Sequence, residues 1–67
     1  MSAKYSDIEE KIVYGFMGLL QYMSPRDAVL TIDYKVFTEH ADEFHQLTEK
    51  EQMEVRRVIL ALKLVHV

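Results

Sequence analysis

The chain contains no cysteine, so neither a disulfide framework nor a thiolate zinc site can hold it together. Its 67 residues are enough for one domain, and a core of that size barely offsets the entropy of ordering the chain. Additional stability must therefore come from well-packed helices or from association with another chain.

Long apolar runs and excess positive charge are also lacking. The longest stretch without a formal charge, residues 12–25, includes glycines, a glutamine and two tyrosines, and is shorter than the roughly 18 residues of a membrane span. No basic segment with an apolar stretch and a cleavage site stands at the N-terminus, so we expect a cytoplasmic protein. The net charge of -3 disfavours nonspecific binding to nucleic acid.

Catalytic motifs are missing from the sequence as well. It has no Gly-rich phosphate loop, no nucleophile elbow and no paired acids suited to general acid and base chemistry. Residues 39–45 do gather histidines and carboxylates, and His40 with Glu43 has the i, i+3 spacing of helical metal sites. Such sites draw matching pairs from several helices, whereas this chain offers one pair. We therefore expect no enzyme, no cofactor and no metal, and interpret these residues as a solvated helix face.

Three helix starts can be located from capping patterns. Residues 6–9 and 48–51 each match a capping box, and Ser24-Pro25 combines a favoured cap with a favoured first helical residue. Apolar residues recur with helical periodicity after each start. We predict an all-α fold, either a three-helix bundle or an orthogonal three-helix domain, with helices at about 7–23, 25–46 and 49–66 and a loose N-terminus at 1–5. The whole chain, 1–67, is expected to form a single helical domain.

The middle helix has an alternative interpretation, because residues 30–36 alternate apolar and polar side chains as a half-buried strand would. As one helix, the segment places seven apolar residues on a broad face: Val29, Leu30, Val36, Phe37, Ala41, Phe44 and Leu47. Asp33 falls within that face and would need a partner, for which Arg56 or Arg57 is the natural choice. A break between Thr31 and Asp33 would instead return the carboxylate to solvent.

The third helix carries two apolar stripes, which is the most informative feature of the sequence. One stripe suits the domain's own core and consists of Val55, Val58, Ile59, Leu62 and Val65. The other consists of Met53, Leu60, Leu64 and Val67. On the first helix, Tyr14 and Tyr22 extend the margins of an already wide apolar face. Because so small a domain has too little interior for all these side chains, we predict that the second stripe and both tyrosines bind a partner. The alternative is that the second stripe packs against the middle helix.

Two glycines, Gly15 and Gly18, lie inside the first predicted helix, where each costs about 1 kcal/mol relative to alanine. They either allow another helix or a ligand to approach the backbone, or mark a local irregularity. The spacing alone does not separate these alternatives.

Taken together, these features favour a small protein-interaction module, such as an adaptor, an inhibitor or a regulatory subunit, that forms a homodimer through exposed apolar helix faces. A heterologous protein partner is compatible with the same surface. The alternative is a DNA-binding regulator of the helix-turn-helix type, in which the middle helix breaks and a short recognition helix follows. The excess of acidic residues in the middle segment disfavours it.

Overall fold

The computed structural model describes residues 7–67, and all regular secondary structure in this range is helical. The elements are α1 (Asp7–Leu19), α2 (Pro25–Tyr34), a π-helical segment (Lys35–Glu39), α3 (Ala41–Gln46) and α4 (Glu49–His66). The predicted all-α class is confirmed, whereas residues 7–67 contain four α-helices rather than the predicted three. Within residues 7–67, no helix combines the length and the apolar character that crossing a bilayer requires.

Local capping fixes where α2 and α4 begin. The Ser24 hydroxyl accepts a hydrogen bond from the Asp27 amide, and Pro25 occupies the first turn of α2. At the start of α4, the Glu51 amide donates to the Thr48 hydroxyl at 3.1 Å and the Thr48 amide donates to the Glu51 carboxylate at 2.9 Å. Both predicted starts are therefore confirmed. The capping box predicted at residues 6–9 includes Ser6, which lies outside the described residues.

The first helix ends at Leu19, four residues before the predicted end at about 23. Beyond it the backbone tightens, because the Tyr22 amide donates to the Leu19 carbonyl three residues earlier at 2.9 Å. Ser24 has an extended backbone, as a helix cap requires, so the chain must leave the helical conformation before that residue. The cap of α2 at Ser24 therefore limits how far α1 can extend toward the C-terminus.

The middle segment is not the single helix predicted for 25–46. The chain passes through Thr31 and Asp33 without interruption, so the alternative break there is also wrong. Instead the His40 amide donates to the Lys35 carbonyl at 2.8 Å, five residues back, and His40 leaves the helical region with φ -111° and ψ 25°. The extra residue in this turn shifts the apolar face of α3 relative to that of α2.

The core lies where α4 packs against both α1 and α2, and α1 also packs against α2. Its buried side chains are Phe16, Ala28, Val29, Ile32, Phe44, Val55 and Ile59. Leu30 and Phe37, which the continuous helix would place on the core face, are more than one-third exposed. Leu30 precedes the π-helical segment and lies about 100° from the buried Val29, at the edge of the core face. Phe37 lies within the π-helical segment, where a helical wheel of constant pitch assigns faces incorrectly.

We expect Thr48→Ala to lower the free energy of unfolding by about 1 kcal/mol, because the substitution leaves an amide of the first turn of α4 without its acceptor. Urea denaturation of both proteins at one concentration measures the change. Thr48→Ser keeps the hydroxyl and should stay within a few tenths of a kcal/mol of the parent. Equal losses for the two variants would contradict the capping role.

Candidate functional site: the outer face of α4

One side of α4 is covered by the other helices, and the other side is open. Val55 and Ile59 are buried, and Val58 and Leu62 pack against the core. The opposite side exposes four apolar residues, hereafter the outer face: Met53 (66% exposed), Leu60 (56%), Leu64 (79%) and Val67 (60%). These are four of the six residues predicted to bind a partner. The described part of the protein does not fold the middle helix over them, as the alternative interpretation required.

Val65 does not belong to the core stripe to which the sequence assigned it, because it is 74% exposed. It lies about 120° around the helix from Ile59, whereas His66 nearly eclipses Ile59 two turns later. The His66 ring accordingly sits 5.2 Å from the ring of Phe16 on α1. The last turn of α4 therefore turns an imidazole toward α1 and leaves the valine in solvent.

An ion pair joins α2 to α4 beside the outer face. Asp33 lies 3.0 Å from the Lys63 ammonium, and about one-third of each side chain is exposed. The predicted pairing with Arg56 or Arg57 is wrong. Arg56 instead places its guanidinium 5.2 Å from the centre of the Phe44 ring, a cation–π arrangement. Asp33 is thus half-buried at a helix interface, and Lys63 can reach it from the opposing helix.

The outer face continues onto the π-helical segment. Phe37 and Leu60 line the same depression of about 200 Å³, together with the Asp33–Lys63 ion pair. Leu30, Tyr34 and Phe37 are all exposed and recur at i, i+4 and i+7. Sequence reasoning missed this extension because it assigned Leu30 and Phe37 to the core.

The two predicted tyrosines lie elsewhere. Tyr14 and Tyr22 are exposed, at 67% and 82%, so both are available to a partner. Tyr14 lies on α1 about 160° from the buried Phe16, and Tyr22 lies in the turn after α1. Neither lines the depression that Phe37 and Leu60 share. The structure therefore brings together the four α4 residues and does not join the tyrosines to that depression.

The histidines of residues 39–45 bind local groups. His40 Nδ1 lies 3.3 Å from a Glu43 carboxylate oxygen, and His45 Nδ1 lies 2.8 Å from the Ala41 carbonyl. A backbone hydrogen bond, and secondarily His40, lower the pKa of the exposed Glu43. Within residues 7–67, no three His, Asp or Glu side chains gather in a cluster that could hold a metal ion.

We expect Asp33→Asn and Lys63→Gln to show a coupling free energy of about 0.2–1 kcal/mol in a double-mutant cycle, because the pair is only partly shielded from water. Denaturation at low salt and at about 1 M salt should show the coupling shrinking as screening increases. The Lys35–Glu39 pair, with atoms 3.9 Å apart and half-exposed side chains, is a control with weaker coupling. Coupling no larger than in the control would remove the ion pair as a link between α2 and α4.

The outer face is suited to apolar contact and carries no catalytic group of its own. Charged side chains stand beside it, including Arg56 and Lys63 on α4. An apolar strip with a charged margin is the usual make-up of a protein-binding surface. The chain matches no protein-family model, and no curated protein or solved structure is significantly similar to it.

Proposed function

We propose that this protein is a protein-interaction module that forms a homodimer through the outer face of α4. Adaptor, inhibitor and regulatory subunit are the roles that fit such a module. The observation that carries the proposal is the exposure of Met53, Leu60, Leu64 and Val67 along one side of the longest helix. Burying the larger of these side chains contributes roughly 1.5–3 kcal/mol each.

The small core gives association a physical reason. Among residues 7–67, seven side chains are buried, and one of these is an alanine. Domains of this size commonly need a metal, disulfides or oligomerisation to supplement the core. Since the chain has no cysteine, covering the outer face is the most direct source of additional apolar burial.

The arrangement of the outer face favours a second copy of the chain as its partner. Met53 and Val67 each stand seven residues from Leu60, on opposite sides of it along the helix. Two α4 helices packed antiparallel about Leu60 would therefore place Met53 of one protomer against Val67 of the other, and the reverse contact follows by symmetry. One patch used twice closes a two-fold dimer. Phe37, on the π-helical segment, extends the same surface for the rim of the dimer or for a second protein.

We expect the parent protein to be a dimer at tens of micromolar, and Leu64→Glu to be monomeric and less stable, because a buried unpaired carboxylate disfavours the interface. Val65→Glu is the matched control: Val65 is also exposed and adjacent in sequence, but it lies about 100° away around the helix. This control should remain dimeric. Sedimentation equilibrium measures the mass, and the melting temperature of the parent should rise with its concentration.

A parent protein with one-chain mass, and with stability independent of concentration, would contradict the homodimer. Disruption of the dimer by Val65→Glu but not by Leu64→Glu would move the interface to another side of α4. Either result is clear without knowledge of a cellular partner.

The helix-turn-helix alternative gains no support from the fold. The short helix after the π-helical segment, α3, has six residues and carries Asp42 and Glu43 in its first turn. A recognition helix would have to bring this turn close to phosphates and base edges, where carboxylates are repelled. We therefore expect no submicromolar binding to duplex DNA at near-physiological salt in fluorescence anisotropy titrations. Tight, salt-sensitive binding would restore the alternative.

A further inference from the structure

A second surface, separate from the outer face, has the form of a ligand groove. It runs between α1 and the α2 and π-helical segments, has a volume of about 570 Å³, and is lined on its apolar walls by Ile12, Leu19, Ile32 and Val36. A shallower depression of about 200 Å³ continues from it and shares Ile12 and Val36. Sites for small molecules typically occupy about 300–1,000 Å³ and are mostly apolar with a few polar groups.

One wall of this groove contains a glycine of α1, and the opposite wall contains the π-helical turn. On α1, Gly15 lines the groove, and an added Cβ there would meet no other heavy atom within 4 Å. Apart from its chain neighbours and the backbone of its own helix, no described atom lies within 4 Å of that Cβ position, so close packing against another segment does not require a glycine here. Across the groove, the π-helical turn supplies Lys35 and Val36, and His40 follows it. Such turns are frequent at functional sites.

The polar groups at the groove are predominantly basic. Lys11 lines it one helical turn before Gly15, and no described carboxylate lies within 4 Å of its ammonium. Lys35 forms only a weak ion pair, because the nearest Glu39 carboxylate oxygen is 3.9 Å from its ammonium and both side chains are half-exposed. In a chain of net charge -3, two lysines beside an apolar groove form a local exception. They complement an anion attached to an apolar body.

We propose that this groove binds an aliphatic carboxylate, a fatty-acid anion of medium chain length. The alkyl chain lies along Ile12 and Val36, the apolar residues common to both depressions, and the carboxylate accepts hydrogen bonds from Lys11 and Lys35. A folded protein partner fits less well. A stable protein interface buries about 800 Å² on each side, whereas the apolar lining of this groove consists of Ile12, Leu19, Ile32 and Val36. This binding function is additional to self-association and does not depend on it.

Isothermal titration of the full chain with decanoate, below its micelle concentration, tests the proposal. We expect saturable binding of one decanoate per chain, weaker binding of 1-decanol and the weakest binding of decyltrimethylammonium, since only the carboxylate pairs with the lysines. Methyl resonances of Ile12 and Val36 should shift during the titration. Absence of decanoate binding, equal affinity for decanol, or shifts confined to Leu60 and Leu64 would overturn the proposal.

Two pairs of variants separate the groove from general effects on the fold. Gly15→Leu should abolish decanoate binding by filling the groove, whereas Gly18→Leu should preserve it, because Gly18 has equal free space but does not line the groove. Lys11→Gln should weaken binding by about fivefold, the effect of losing an exposed ion pair. Lys50→Gln, at the start of α4, is its control.

Circular dichroism and melting curves establish that each variant is folded. If Gly15→Leu does not fold, the Lys11→Gln and Lys50→Gln pair still decides the result. Equal decanoate affinities for these two variants would contradict the proposed role of Lys11, and equal affinities for the two leucine variants would contradict the location.

Discussion

The structure depends on one packing arrangement, in which a single face of α4 serves both α1 and α2. Val55 and Ile59 are almost completely buried there. The chain has no cysteine, so no disulfide adds to the stability that this packing provides. A helix that packs inward along one side necessarily presents its other side to solvent. The outer face is therefore defined by the same geometry that builds the core, and any change that rotates α4 would alter both surfaces together.

Features with local causes were predictable from the sequence. The caps at Ser24 and Thr48 depend on residues at most three positions away, so their patterns determined where α2 and α4 begin. The exposure of Leu60 and Leu64 was predictable for a related reason. Periodicity divides the apolar residues of one uninterrupted helix into two faces, and α4 has no interruption that would disturb the division.

Features set by contacts between distant segments were not predictable in this way. Asp33 pairs with Lys63 rather than with an arginine because the crossing of α2 and α4, which no local pattern encodes, decides which side chain can reach it. Val65 was assigned to the core because it follows Val58 by two turns, whereas the contact with α1 in the last turn is made by His66. The groove beside Gly15 needed both of its walls to be known, although the cost of a glycine inside a helix was a visible signal that something required explanation.

The π-helical segment has a further consequence, for the way in which this chain can vary. Its residues are largely exposed, so their side chains tolerate exchange more readily than those of the core. The number of residues in this segment is less tolerant of change, because removing one residue would rotate α3 by about 100° relative to α2. Phe44 would then leave the core, where it contacts Phe37 and supports Arg56. This stretch is constrained in its length more strongly than in its composition.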